Sequence, residues 1–381
     1  MEKQFIKGNT NVEKPILKRG STLFILLAVM AVTQLVFLVL SLALFIISIF
    51  GQIEISDEGS TFLTLVFNIT IQTTGVLFIW IFYRRRNFLH QPSTPTSSYG
   101  WPLEIGQLFS IDVLATTMIG LLLTTIYIII FGSIPDVTSP YGEFLGSISL
   151  MILFFVAAVI TAPIYEELLF RQYSLSGLEA EKVTPGVALL LSSVFFGLIH
   201  TTTDLISGSL YFATVHLINT STSGLILGFL LLKRRRIIYP IILHALINGY
   251  ALFSTYVTTY AEGLEEMNGN LILAMLGLLM LVVMGLGCLS LIIRIWQNRQ
   301  SILEWFENLP NNLNNLPYNF LTISSLAMLG GAVVLVVGIP VLISFIFATP
   351  ELRLIYGIIR GTYWLGILII SVLFIRFVAQ E

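Results

Sequence analysis

Two adjacent glutamates, Glu166 and Glu167, lie inside an apolar stretch and closely follow Pro163. Ionisable side chains are costly in lipid and by default mark a functional site. Glu167 and Arg171 are four residues apart, so on a helix they share one face and can pair. Glu166 lies about 100° away around the helix axis. We therefore expect a structural ion pair beside an unpaired Glu166, with a bend at Pro163, which has no N–H to donate.

Two histidine motifs provide partners for this carboxylate. They read Phe196-x-x-x-His200, near the end of one apolar run, and His244-x-x-x-Asn248, inside another. Taken alone, each is explained by a packing histidine or an interhelical hydrogen bond. Together they place a carboxylate, two imidazoles and a carboxamide on three neighbouring helices. The depths of Glu166 and His200 agree better if the glutamate-bearing helix continues past Arg171 toward Leu178, and if the helix that carries His200 begins near Val187 or later.

The amino-acid composition indicates that these helices lie in a membrane. Of the 381 residues, 56% are hydrophobic and only 10% are charged, whereas soluble domains carry about 25% charged residues. This composition excludes a cytosolic enzyme, a nucleic-acid binder and a disordered regulator. The net charge of -2 provides no basic field for polyanions. The single cysteine excludes an intramolecular disulfide and a cysteine-based zinc cluster.

The apolar residues are grouped into ten runs of 18 to 30 residues, and about 20 predominantly apolar residues are enough for a helix to span a bilayer. These runs are continuous rather than alternating, so they predict helices and no strands. The predicted fold class is all-α, a polytopic membrane helix bundle of about ten transmembrane helices. The runs are 21–50, 61–83, 108–132, 146–170, 186–203, 208–232, 237–258, 270–293, 319–347 and 354–378.

Basic residues predict the orientation of the chain. With a cytoplasmic N-terminus and alternating segments, the basic runs 84–86 and 233–236 are cytoplasmic. The outer segments then hold one basic residue, Arg353, beside acidic residues such as Glu54 and Glu143. Both termini are therefore predicted to be cytoplasmic. The two basic runs are interpreted as topology anchors rather than as a specific lipid or nucleic-acid site.

The three motifs, in this order and at this approximate spacing, resemble the family of CAAX proteases and bacteriocin-processing proteins (CPBP). This family of intramembrane proteases includes the eukaryotic CAAX-prenyl endopeptidase and many bacterial "abortive infection" proteins. The resemblance covers residues from about 110 to 255 and includes residues that flank the three motifs. The matching positions are Ala162-Pro163, Leu169-Phe170, Gly224 and Gly228.

The resemblance implies an intramembrane endopeptidase. Glu166 would activate a water as the base, and His200 would orient that water. His244 and Asn248 would donate hydrogen bonds to the developing oxyanion. The supporting residues would be Glu167, Arg171 and Phe196. The expected partners are the lipid bilayer and a peptide or membrane-protein substrate, such as a peptide pheromone or a bacteriocin leader, without nucleic acid. The expected location is the bacterial plasma membrane.

The participation of a metal stays open at the level of sequence. Glu166, His200 and His244 also form a ligand set that suits zinc, and the family has often been described as metalloproteases. Against zinc, the chain has no His-Glu-x-x-His pair, and Glu166 as a ligand would leave no obvious base. A metal-free glutamate mechanism fits the residues slightly better.

The resemblance divides the chain into three parts. Residues 1–107 hold a tail and two variable helices, 108–258 the catalytic membrane core, and 259–381 accessory helices. Two other classes compete with a protease. A non-catalytic scaffold or bacteriocin-immunity protein would share the fold, although the intact motif set favours activity. A secondary transporter would show paired halves with broken helices, whereas we find one polar cluster.

Overall fold

The computed structural model describes residues 21–51, 56–86, 100–133, 147–180, 183, 185–201, 210–262, 266–300, 359 and 362–371. Within these ranges every regular element is a helix and no residue lies in a strand, so the predicted all-α class is confirmed. The helices are α1 (Ser21–Gly51), α2 (Asp57–Arg86), α3 (Trp101–Phe131), α4 (Ile148–Phe155), α5 (Ala162–Glu166), α6 (Ser176–Ala180), α7 (Pro185–His200), α8 (Leu210–Arg234), α9 (Ile238–Glu262), α10 (Glu266–Gln297) and α11 (Thr362–Ser371).

Six helices of the described chain are long and apolar enough to cross a membrane, so this is a multi-pass membrane protein. They are Glu58–Trp80, Trp101–Phe131, Ile148–Leu178, Leu210–Arg234, Ile238–Ala261 and Gly269–Gln297. The predicted run 186–203 forms only the shorter α7, which has 16 residues, and α1 contributes a shorter apolar segment, Leu26–Leu40. The predicted run 319–347 and most of 354–378 lie outside the described residues.

The helix that carries the two glutamates runs from Ile148 to Leu178, and we call it the glutamate helix. The expected continuation past Arg171 is therefore confirmed. Two π-helical segments, Val156–Thr161 and Glu167–Leu175, interrupt its α-helical hydrogen bonding on either side of α5. In a π-helix each N–H bonds the carbonyl five residues earlier, and such segments often occur at functional sites. Pro163, where a bend was expected, stands in the first turn of α5.

Small residues allow α7 and α8 to approach closely. A Cβ placed on Gly197 of α7 would lie 2.6 Å from the Leu217 carbonyl oxygen, and one on Gly224 of α8 would lie 3.1 Å from Ser193 Cα. Because these neighbours are backbone atoms, they cannot rotate away as a side chain could. Gly224 therefore serves the close helix packing that small residues permit in membranes, and Gly197 fixes the helix that carries His200.

A second polar cluster joins the ends of three helices. Glu104, near the start of α3, is buried and pairs with Lys233 and Arg234 at the end of α8. Arg294, near the end of α10, lies 4.0 Å from the same carboxylate and donates to Gln107 Oε1 at 2.9 Å. A buried carboxylate needs such partners. Two residues of the basic run 233–236 thus have a structural role besides any effect on topology.

We predict that Gly197→Ala destabilises the protein by about 1–3 kcal/mol, because the added methyl overpacks a backbone contact. Gly186→Ala is the matched control on the same helix, since a Cβ there meets nothing within 4 Å. Thermal melting in detergent measures both variants. Equal midpoints for the two would contradict the packing that we describe between α7 and α8.

Candidate active site

A buried ion pair lies at the base of the site. Arg171 and Glu167 are both almost fully buried, and Arg171 Nη1 lies 3.2 Å from Glu167 Oε1. The pair predicted from the four-residue spacing is therefore present. Neither terminal nitrogen of the guanidinium has a hydrogen-bond partner among the described residues. The absence of a side chain at Gly224 leaves room for this group, because a Cβ there would lie 3.4 Å from Arg171 Nη2.

The ring of Phe196 contacts both the guanidinium and the two histidines. The guanidinium carbon of Arg171 lies over the face of this ring, 4.1 Å from the ring centroid. The same ring packs edge-on against His200 at 4.5 Å and His244 at 5.8 Å between centroids. A desolvated cation over an aromatic face is a favourable contact. The phenylalanine of the second motif therefore links the buried arginine to both imidazoles, which explains why an aromatic residue suits this position.

His244 connects the two glutamates. Its Nδ1 lies 2.8 Å from Glu167 Oε1, and its Nε2 lies 3.6 Å from Glu166 Oε2. An ionised carboxylate only accepts hydrogen bonds, so Nδ1 is the protonated nitrogen in this contact. In the neutral ring, Nε2 then presents a lone pair toward Glu166. Glu167 thus orients an imidazole as well as pairing with Arg171, a role that the sequence did not predict.

His200 faces the same carboxylate from α7. Its Nδ1 lies 2.8 Å from the carbonyl oxygen of Phe196, and its Nε2 lies 3.7 Å from Glu166 Oε2. A carbonyl oxygen cannot donate, so Nδ1 carries the proton here too, and Nε2 of the neutral ring is an acceptor. The His200 side chain is 32% exposed, whereas His244 is 6% exposed. The site is therefore more open on the side of His200.

Glu166 Oε2 and the two Nε2 atoms form a group of acceptors around one small region. Separations of 3.6 and 3.7 Å exceed the usual length of a direct hydrogen bond. A water molecule needs partners at about 2.6–3.2 Å, and it can donate one proton to the carboxylate and another to an imidazole. The arrangement of Glu166 with His200 and His244 is thus suited to holding and polarising a water.

Asn248 lies one helical turn beyond His244 on α9, and its carboxamide is anchored. Its Nδ2 donates to the carbonyl oxygen of Ala158 at 2.8 Å. Ala158 belongs to the first π-helical segment of the glutamate helix. That bond uses one of the two N–H groups of the amide. Asn248 therefore joins α9 to the glutamate helix and keeps a second donor.

The side chains at this site are of the types that bind zinc. A glutamate with two histidines is a known catalytic ligand set, and metal-bound histidines usually donate their other ring N–H to a carboxylate or a carbonyl, as His244 and His200 do here. Among the described residues, however, no group of three or more His, Cys, Asp and Glu side chains is placed to hold a metal ion. The three side chains would therefore have to draw closer to close on a metal.

Asp112 is a polar residue near the site that the sequence motifs did not include. It lies buried on α3, accepts a hydrogen bond from Ser223 and interacts electrostatically with His244. Its Oδ1 has no hydrogen-bond partner in the described part of the chain. An aspartate inside an apolar run was the available signal, but no recognised motif contained it.

Comparison with known proteins supports the resemblance seen in the motifs. Residues 148–250 match the family model described as type II CAAX prenyl endopeptidase Rce1-like. The predicted resemblance to the CPBP family is confirmed for this part of the chain, which contains all three motifs. No curated protein and no solved structure gives a significant match. The family match implies a CAAX-protease-like peptidase in a multi-pass membrane protein.

We predict that Phe196→Leu lowers the free energy of unfolding by about 1–2 kcal/mol more than Phe195→Leu does, because only Phe196 faces the guanidinium and the imidazoles. Phe195 is a fair control, since it is comparably buried and also packs against Phe170. Detergent melts of the two variants measure the difference. Equal losses would mean that Phe196 acts only by filling space.

The energetic role of the buried Glu167–Arg171 pair can be measured by substitution. Glu167→Ala leaves Arg171 without its counter-charge and should destabilise the protein by about 3–5 kcal/mol. Replacing both partners by leucine should recover much of that loss, because paired apolar side chains need no charge compensation. Melting of the single and double variants in detergent is the measurement. A double variant that melts no higher than Glu167→Ala would contradict the pairing.

Proposed function

We propose that the protein is an intramembrane endopeptidase that hydrolyses peptide bonds of a peptide or membrane-protein substrate. The single observation that carries this proposal is the position of Glu166 Oε2, which lies 3.6 and 3.7 Å from the Nε2 atoms of His244 and His200. A carboxylate facing two oriented imidazoles suits the activation of water. The family match over residues 148–250 supports the reaction class.

Glu166 acts as the general base in this mechanism. It takes a proton from a water that also donates to His200 Nε2, and the water oxygen attacks the carbonyl carbon of the scissile bond. The tetrahedral intermediate then collapses as the C–N bond breaks. Glu166 returns the proton to the departing nitrogen, so the products are a carboxylic acid and an amine, and the acid then gives its remaining water-derived proton to the amine. The Glu167–Arg171 pair leaves Glu166 free for both transfers.

His244 and Asn248 stabilise the oxyanion by donating hydrogen bonds. Because His244 Nδ1 is committed to Glu167, its Nε2 can donate only when both ring nitrogens are protonated. Asn248 can donate in either state, through the N–H that does not bond Ala158. The two residues lie one turn apart on the same face of α9, so both can address one oxygen atom.

A metal-assisted reaction is the other chemistry that these residues could support. Glu166, His200 and His244 would hold a zinc ion, whose contribution would be to polarise a bound water or a substrate carbonyl. We favour the metal-free reaction because it keeps Glu166 available as the base. A comparison of hydrolysis with and without a chelator separates the two.

We also propose an organisation for the whole chain. Residues 108–258 form the catalytic membrane core, preceded by a tail with two variable helices in 1–107 and followed by accessory helices in 259–381. The complete bundle has about ten transmembrane helices with both termini in the cytoplasm, and it resides in a bacterial plasma membrane. The substrates are peptide pheromones, bacteriocin leaders or tails of membrane proteins.

We predict that Glu166→Gln abolishes hydrolysis while leaving the melting temperature near that of the wild type, because the amide keeps the shape but cannot accept the proton. Purified protein in detergent is assayed on a fluorogenic peptide library, with and without chelator. Glu58→Gln on α2 is the control and should retain full activity, since Glu58 is exposed and belongs to a different helix.

If Glu166→Gln keeps near wild-type turnover, Glu166 is not the general base. No hydrolysis by the wild-type protein would instead favour a non-catalytic scaffold or an immunity protein of the same fold. Loss of activity with chelator, restored by zinc, would replace the metal-free mechanism by the metal-assisted one.

A further inference from the structure

We infer that Pro163 is a positioning residue for the proposed reaction: by lacking an N–H, it leaves the carbonyl of Ala158 free to anchor the carboxamide of Asn248. The inference rests on the proposed function for its catalytic consequence. The anchoring itself is a structural coupling between two residues that are far apart in sequence.

The hydrogen-bond register of the glutamate helix explains why this carbonyl is available. The N–H of Ala162 bonds the carbonyl of Ala157, five residues earlier. Continuation of this π-helical register would bring the next N–H, that of residue 163, to the carbonyl of Ala158. Residue 163 is a proline and has no N–H to give. The register therefore ends there, and the Ala158 carbonyl is left without a partner from its own helix.

Asn248 supplies the missing donor from α9. Its Nδ2 lies 2.8 Å from the Ala158 carbonyl oxygen, a good hydrogen-bond length. The two helices are in ordinary contact at this level, because a Cβ on Gly249 would lie 3.7 Å from Val159 Cγ1. A carbonyl withdrawn from water is costly when unpaired, so both the carbonyl and the amide gain from the bond.

The bond also fixes the direction of the remaining N–H of Asn248. A carboxamide is planar, so once one N–H is held by a backbone carbonyl the other has a defined orientation. Pro163 lies three residues before Glu166 in the same short helix, α5. Pro163 thus sets, through Asn248, the direction of a hydrogen-bond donor for the oxyanion, and it does so from the same short helix that carries the proposed base.

Thermal melting tests the coupling without any need for activity. In the wild-type background, Asn248→Ala should lower the melting midpoint by about 2–4 °C, since the Ala158 carbonyl loses its partner. In the Pro163→Ala background the same change should have little effect, because the backbone N–H that this substitution introduces now takes that carbonyl. Equal shifts in both backgrounds would overturn the inference.

Kinetics on the peptide that the wild-type protein hydrolyses best tests the catalytic consequence. Pro163→Ala should lower kcat about a hundred- to a thousandfold, as the loss of an oxyanion donor does, with KM little changed and a melting midpoint at or above that of the wild type. A purely structural proline would not give lower activity at undiminished stability. The double variant Pro163→Ala/Asn248→Ala should be no less active than Asn248→Ala alone.

Pro185→Ala is the matched control, because Pro185 is the first residue of α7, where a missing N–H is of no consequence. This control should keep wild-type kinetics. Wild-type activity in Pro163→Ala, or independent losses in the double variant, would overturn the positioning role. If the wild type hydrolyses no peptide, the proposed function fails, whereas the melting comparison still decides the coupling.

Discussion

The positive charge of a guanidinium buried inside a membrane bundle must be compensated. The arrangement of the site depends on the partners that compensate the charge of Arg171. A charge in lipid is costly unless it is paired or reaches water. Glu167 supplies the counter-charge at 3.2 Å, and the ring of Phe196 covers the guanidinium at 4.1 Å. These two partners then hold the imidazoles, because Glu167 bonds His244 and the Phe196 carbonyl bonds His200. Glu166, the adjacent carboxylate, stays outside this chain of contacts.

The compensation of one charge thus separates the roles of two neighbouring glutamates. Glu167 is fully buried and committed to Arg171 and His244. Glu166 keeps some exposure and faces the Nε2 atoms of both histidines. A base must be free to accept a proton, while a residue that orients an imidazole must not move. The adjacency of the two residues therefore supplies both functions within one turn of a single helix.

Much of this arrangement follows from local rules that a sequence displays. The four-residue spacing predicted the Glu167–Arg171 contact, and the apolar runs predicted an all-helical membrane bundle. The second bond of Glu167, to His244, could not be predicted in this way, because it joins two helices whose relative rotation is a tertiary property. The π-helical segments were also not predicted, because α-helical periodicity assumes one hydrogen-bond register throughout a helix. The partner of Asn248 depended on that register, because only a π-helical register directs the missing N–H of Pro163 to Ala158.

Chemical rescue distinguishes Glu166 from Glu167 as the base. Glu166→Ala and Glu167→Ala are assayed for peptide hydrolysis in rising concentrations of formate, a carboxylate small enough to replace the missing side chain. If Glu166 is the base, formate restores hydrolysis in Glu166→Ala, where the cavity adjoins the partly exposed His200, and not in Glu167→Ala. Rescue of Glu167→Ala alone, or formate-independent activity of Glu166→Ala at the wild-type level, would contradict this role of Glu166.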